Sequence, residues 1–507
     1  MRRLLDRGPV EPVLDPRRWT PRHRVAVLVA VAVALLAGLV EAAQHTPQSS
    51  AVEGLRAFLA AGFAAGLVLL ALSLRGVTVP GFLVGALFVA AAFLSWAYMD
   101  TPIVVWLLLL AEGVLFLVWT FPWLRNLAGL PRLGAAWLGV AYWILGTVGA
   151  ALVWHPTVAV QRLTYAGLFT LAAMAVLVAT RRSGQDLSVG VVAAFLGGLA
   201  ALFLVGSGNA LDEVHLVSDN VWGRHMEYRF WGGPGLMFHP NSMGLLAVLV
   251  AVRIGADATF ERWQRYAALG AVAVVLPLVN SRTGVLYLAA AAGLHAVLVW
   301  RRRGPDSYSS TRAAWAGALL PLVLVGVIVV ASGGWDFLTS KRYGEAADVT
   351  SGRTATWAQV WREFKADDVA QQLFGDAKSA RAYVVRTDQP EHPKLQTDNA
   401  LVGALRHGGI LGVLAFLLGL GLLLWHAVRG VPGTTGRRAP PAWFVLVAVG
   451  SLVTVPTADW LLGGTGGTLW VLLLAGEAHL LYRTDATTSI PENASLEKLT
   501  PAAGGCP

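Results

Sequence analysis

Ile410-Leu-Gly-Val-Leu-Ala-Phe-Leu-Leu-Gly-Leu-Gly-Leu-Leu-Leu-Trp-His-Ala-Val428 contains no Asp, Glu, Lys or Arg. A bilayer-spanning helix needs about 20 predominantly apolar residues to cross the hydrocarbon, and this stretch meets the requirement without help from neighbouring chain. Similar runs fall at 24–41, 55–74, 77–97, 102–121, 134–154, 161–180, 187–207, 235–253, 265–280, 283–300, 313–332, 442–460 and 463–482; with the run at 408–428 they make fourteen. Fourteen spans consume roughly 280 residues. The composition agrees: of 507 residues 56% are hydrophobic and 14% charged, with a mean hydropathy of +0.59. No water-soluble core and surface accommodate that balance, so a soluble enzyme is excluded. The expected fold is an all-α polytopic membrane protein of about 14 transmembrane helices with one large structured extracytoplasmic loop.

The net charge of +9 and the pI near 9.9 would suggest nucleic acid in a soluble protein; in this chain the placement of the bases is the stronger signal, and it is a topology signal. Seven arginines between Arg2 and Arg24 precede the first apolar run and read as the lead of a retained signal anchor with a cytoplasmic N-terminus. Alternating the loops from there puts 24 of the 39 bases inside, and the short outward loops carry almost none. The remainder concentrate near 208–234 and 333–407. Four regions follow: a basic cytoplasmic tail (1–23), a first helix set acting as scaffold or lipid groove (24–207), a second region (208–482) containing the outer loop 333–397, and a disordered cytoplasmic tail (483–507). The single cysteine, Cys506, excludes an internal disulfide, a CxxC motif and a cysteine-ligated zinc.

The outer loop is the one segment polar enough to fold against water, and loops of that length are usually functional. It contains one predicted helix: Thr350 and Ser351 are N-cap types, and Trp357, Val360, Trp361 and Phe364 follow at i, i+3, i+4 and i+7. Three constellations sit at the outer ends of late helices. The first runs from Arg229 to His239-Pro240-Asn241-Ser242. The second is Asn280-Ser281-Arg282-Thr283-Gly284, where an arginine so near hydrocarbon is a functional candidate by default. The third comprises Thr350-Ser351-Gly352-Arg353, then Leu373-Phe374-Gly375-Asp376-Ala377, and Thr397-Asp398-Asn399 before the next span. Arg353, in the first turn of its helix, and the unpaired N–H groups of that turn suit one anion, such as phosphate.

Over roughly 200–425 these motifs resemble the O-antigen ligase and polysaccharide polymerase superfamily of membrane glycosyltransferases. The resemblance rests on Asp398-Asn399 followed by nine residues and Gly409, on Ser281-Arg282 at a helix end, on Ser351-Gly352-Arg353 before a Trp-bearing helix, and on His239-Pro240-Asn241, in the family's order. It implies transfer of a glycan from an undecaprenyl-pyrophosphate carrier to an acceptor sugar at the outer face of the cytoplasmic membrane, with no metal and no cofactor. Ligases of the family usually carry His where Asp398 stands, and polymerases more often Asp, which weakens ligase and strengthens polymerase.

The chemistry asks for the same residues. A departing lipid pyrophosphate, with roughly two to three negative charges, needs preorganised cations, and Arg282 and Arg353 supply them where no Asp-x-Asp pair is present to hold Mg²⁺. Asp398, ionised at neutral pH, is the candidate general base of an inverting displacement. Arg229, His239, Asn241, Ser281, Asn399 and His407 are the candidate substrate-binding residues. Plainer readings stand beside these: Arg282 snorkelling at the interface, Arg353 paired with Asp348 or Glu345, Asp398 and Asn399 capping the next helix, Arg229 steering anions, His239 lining its helix, and His407 packing beside Gly408 and Gly409. Glu112 and Glu477 are expected to hydrogen-bond across the bundle. A lipid-linked oligosaccharide flippase or other transporter is the competing class, but it predicts related halves and charges at the midplane, and no repeat links 1–250 with 251–507.

Overall fold

A computed structural model of the chain describes residues 51–96, 129–205, 230, 232–233, 236–279, 281–301, 323, 325–326, 353–376, 383–385, 394–396, 399–433, 436–457 and 466–482. The runs predicted at 24–41 and 102–121, most of 313–332, both tails, Glu112, Arg229 and Asp398 lie outside these residues. The described residues form α1 (Ala51–Ser73), α2 (Val79–Trp96), α3 (Gly134–Leu152), α4 (Pro156–Ser183), α5 (Ser188–Val205), α6 (Pro240–Gly255), α7 (Arg262–Val279), α8 (Arg282–Arg301), α9 (Arg353–Ala366), α10 (Val369–Phe374), α11 (Ala400–Arg429), α12 (Ala442–Thr454) and α13 (Gly467–Tyr482). Three two-stranded antiparallel hairpins interrupt them: Gly232–Gly233 with Leu236–Met237, Tyr383–Val385 with Lys394–Gln396, and Val431–Gly433 with Gly436–Arg438.

Eleven of the fourteen predicted runs coincide with described helices. Of these, α3, α4 and α11 are long and apolar enough to cross a membrane by length and composition, and seven more described helices are apolar but shorter. The boundaries shift for local reasons. Pro240 at the first turn starts α6 later than 235, since proline is preorganised for that position and the chain before it is paired in a hairpin. The helix α11 starts at Ala400 rather than 408, because Arg406 and His407 interrupt its apolarity without ending it. The loop holds a second short helix that the periodicity did not announce, α10, closed by a capping box between Asp368 and Gln371.

The helix α13 lies at the centre, its residues from Thr468 to Ala475 fully enclosed. Apolar burial does not drive helix association in lipid, so close packing and interhelical polar contacts matter more. Glu477 of α13 is one such contact. Its Oε1 and Oε2 accept from the backbone N–H groups of Gly134 and Ala135 at 2.8 and 2.9 Å, placing a carboxylate at the N-terminus of α3, and His426 Nδ1 lies 2.7 Å from Oε1.

One end of the bundle is fastened by Arg253 at the foot of α6. It reaches Asp186 at 2.9 Å, Asp257 at 2.8 Å and Ser188 Oγ at 2.7 Å, and lies 4.5 Å over the Trp443 ring. Burial pushes the Asp186 carboxyl upward, but Arg253, then His479 and the bonds from Ser188, outweigh it and hold the group below its ordinary value. Arg75, Arg132, Arg181, Arg182, Arg262, Arg265, Arg301, Arg429 and Arg438 occupy this same end. The opposite end carries Arg282 and Arg353.

Candidate functional site

At that opposite end the start of α6 meets the start of α8. Ser281 is fully buried, its hydroxyl accepts from Gly284 N–H at 3.1 Å as a helix cap, and it lies so close to Gly244 that a Cβ there would be 2.7 Å from its own. Arg282 follows it, half-buried. One turn before Gly244, Asn241 is half-buried in the first turn of α6, and His239 stands half-buried at the N-cap position. His239, Asn241, Ser281 and Arg282 are thus neighbours although drawn from two segments.

The third segment joins through charge. Arg353 opens α9, and its guanidinium bears on that of Arg282, so two cations separated by 71 positions in sequence are held within electrostatic reach. Like charges brought this close raise the energy of each other's charged form.

The fourth segment is the start of α11. Asn399 Oδ1 accepts from Leu401 and Val402 N–H at 2.9 and 3.1 Å, and Ala400 N–H donates to Val455 O at 2.7 Å, which ties the helix start to the end of α12. Tyr287 of α8 donates to Val447 of α12 at 3.1 Å. Arg282 lies about 7 Å before Tyr287 and Val455 about 12 Å beyond Val447 along antiparallel helices, so Arg282 and Asn399 differ in depth by only about 5 Å. The capping role expected of Asn399 is what its side chain performs.

His407 takes a different place. Its ring is 1% exposed, stacked on Tyr142 at 4.3 Å and edge-on to Trp143 at 4.5 Å, enclosed between α3 and α11. Two residues on, Gly409 has φ 60° and ψ −154°, which breaks α11 into a stub (400–408) and a long remainder. Around the break gathers a charged cluster that sequence reasoning missed. Arg406 donates to Glu363 of α9 at 2.6 Å and pairs with Asp376 at 3.1 Å, while Arg162 of α4 reaches backbone carbonyls of three segments. A lone arginine inside the apolar run 161–180 was the available signal for Arg162; its backbone partners have no sequence signature.

The predicted stripe on α9 divides. Val360 faces inward at 2% exposure, whereas Trp361 points out at 51% and stacks on Phe364 at 5.5 Å. The inward face adds Thr356, buried, and Glu363, so α9 and α10 form an arm resting on α11 and α3.

A family model described as O-antigen ligase matches residues 267–417. Those residues resemble the O-antigen ligase family, over less than half of the chain. The match covers most of α7, α8 to α10, and the stub and break of α11, and with them Ser281, Arg282, Arg353, Asp398, Asn399 and His407. Arg162, Arg229, His239 and Asn241 lie before it. No curated protein and no solved structure matches the chain. The resemblance and the apolar helices both suit an integral membrane protein.

Proposed function

We propose that this chain is a glycosyltransferase of O-antigen ligase type with fourteen spans and cytoplasmic termini. In this reading it joins an undecaprenyl-pyrophosphate-linked glycan to an acceptor sugar at the outer face of the cytoplasmic membrane. The observation that carries the reading is the convergence of Arg282 and Arg353 beside the start of α11. In a metal-independent inverting displacement, negative charge grows on the leaving pyrophosphate, and guanidinium forks fixed before reaction meet it without reorganising. Asp398 takes the proton of the acceptor hydroxyl as oxocarbenium character develops at the anomeric carbon. An arginine between carboxylate and pyrophosphate offsets their repulsion. Arg229, His239 and Asn241 are assigned to substrate binding; Ser281 fixes the start of α8 beside Arg282, and Asn399, next in sequence to Asp398, caps α11. Asp rather than His at 398 favours a polymerase over a ligase.

The test is transfer by purified protein in proteoliposomes, with a lipid-pyrophosphate-linked glycan and a glycan acceptor. Arg282→Ala and Arg353→Ala each lower kcat at saturating donor by about a hundredfold, the worth of one oxyanion-type donor at about 3 kcal/mol. Lysine rescues poorly because it lacks the bidentate fork. Near-normal turnover in folded Arg282→Ala and Arg353→Ala proteins would overturn the reading.

A further inference from the structure

We infer that Arg162 is a positioning residue for this site: its guanidinium clamps the break in α11 to the arm and to α3, and so holds the two halves of the site in one geometry. The inference rests on the glycosyltransferase reading for what the geometry serves, but the clamp itself is defined by contacts. The break at Gly409 removes helix hydrogen bonds from carbonyls that are buried, and an unmet carbonyl in apolar surroundings costs a few kcal/mol. Two of them are met from outside the helix. Arg406 O accepts from Asp376 N–H at 2.8 Å, and His407 O accepts from Arg162 Nη1 at 3.0 Å.

The same Nη1 donates to Gly146 O of α3 at 2.8 Å, and Nη2 donates to Asp376 O at 2.6 Å. One planar group with donors at fixed angles therefore joins α3, α11 and the chain leaving α10. The surfaces fit closely there. Gly375, at φ +92°, lies where a Cβ would come within 2.5 Å of the His407 carbonyl, and Gly409 abuts the backbone of Leu373. Arg406, gripping Glu363 and Asp376, closes the arm onto the stub from the other side.

A continuous α11 would satisfy its own carbonyls and need no arginine in an apolar helix, where a charge is expensive. The break and its clamp are thus not the cheapest way to stabilise the bundle; what they set is direction. Arg353 is ten residues before Glu363 on α9, about 15 Å, and Asn399 seven residues before Arg406, about 10 Å. A rotation of about 5° at the clamp moves either end by about 1 Å, and a displacement of that size costs on the order of a hundredfold in rate.

The test uses the full chain with Cys506→Ser, spin-labelled at Ala366→Cys on the arm and Leu452→Cys at the end of α12. The parent should give a narrow distance distribution, and Arg162→Gln a broadened or displaced one. In the transfer assay, Arg162→Gln lowers kcat per folded molecule about a hundredfold with donor KM within about twofold, and Arg162→Lys falls between. Should Arg162→Gln not fold, Arg162→Lys carries both measurements. Combined with Arg353→Ala, Arg162→Lys costs less than the sum of the two, since a displaced arginine has less to lose. An unchanged distribution, additive losses, or a fall only in the yield of folded protein would overturn the inference. A parent that transfers no glycan would overturn the functional reading alone, because the distance measurement still decides the clamp.

Discussion

Arginine does three separate things in this molecule, told apart by what surrounds each guanidinium. Arg253 sits among Asp186, Asp257 and an indole, a neutralised clamp at the basic end of the bundle. Arg162 sits among carbonyl oxygens and bridges segments. Arg282 and Arg353 bear on each other across two segments, and the proposed function assigns them to the leaving pyrophosphate. Asp398, one residue before the cap Asn399, is judged against that pair. Because Asn caps as well as Asp, and Asn399 already caps α11, Asp398→Asn leaves the melting temperature nearly unchanged and abolishes transfer. Asp398→His retains partial activity that falls as the imidazole protonates below about pH 6.5. Transfer by purified Asp398→Asn protein at the parental rate would return Asp398 to a structural role.

At the scale of elements, the break in α11 matters most. Gly409 at φ 60° is in the left-handed region, where a side chain costs about 1–2 kcal/mol, and an added Cβ would collide with the backbone of Leu373. Gly409→Ala should therefore lower the melting temperature and expose the chain between α9 and the stub to limited proteolysis; unchanged melting and unchanged cleavage would show that the break tolerates a side chain. The sequence pattern made α9 and most of the long helices legible, because a span announces itself by length and an amphipathic helix by period. It misplaced the start of α11, since Arg406-His407-Gly408-Gly409 reads as the end of a loop when it is a helix interrupted from outside. The helix starts at Arg282 and Arg353 and the cap at Asn399 were legible from motif and position. Arg162, Arg406 and Glu363 were not: they are joined across 43 to 245 positions, and no local spacing encodes such a meeting.

Across the whole molecule, the distribution of charge is the argument for how the protein sits. The helix ends of α1, α4, α6, α8 and α11 at the Arg253 end carry arginines in or beside short connections, whereas among the described residues the short connections at the other end carry few. Arginines in short loops are retained on the cytoplasmic side, and long folded loops cross regardless of charge. On that rule the proposed function has the arm and the convergence of Arg282 with Arg353 outside. Two cysteines in a Cys506→Ser background test the placement. Val369→Cys, 72% exposed at the start of α10, should react with a membrane-impermeant maleimide on intact cells. Ala258→Cys, exposed between α6 and α7, should react only after permeabilisation. The reverse pattern would put the arginine pair against the cytoplasm, where a glycan presented at the outer face never meets it, and would overturn the proposed site together with the topology.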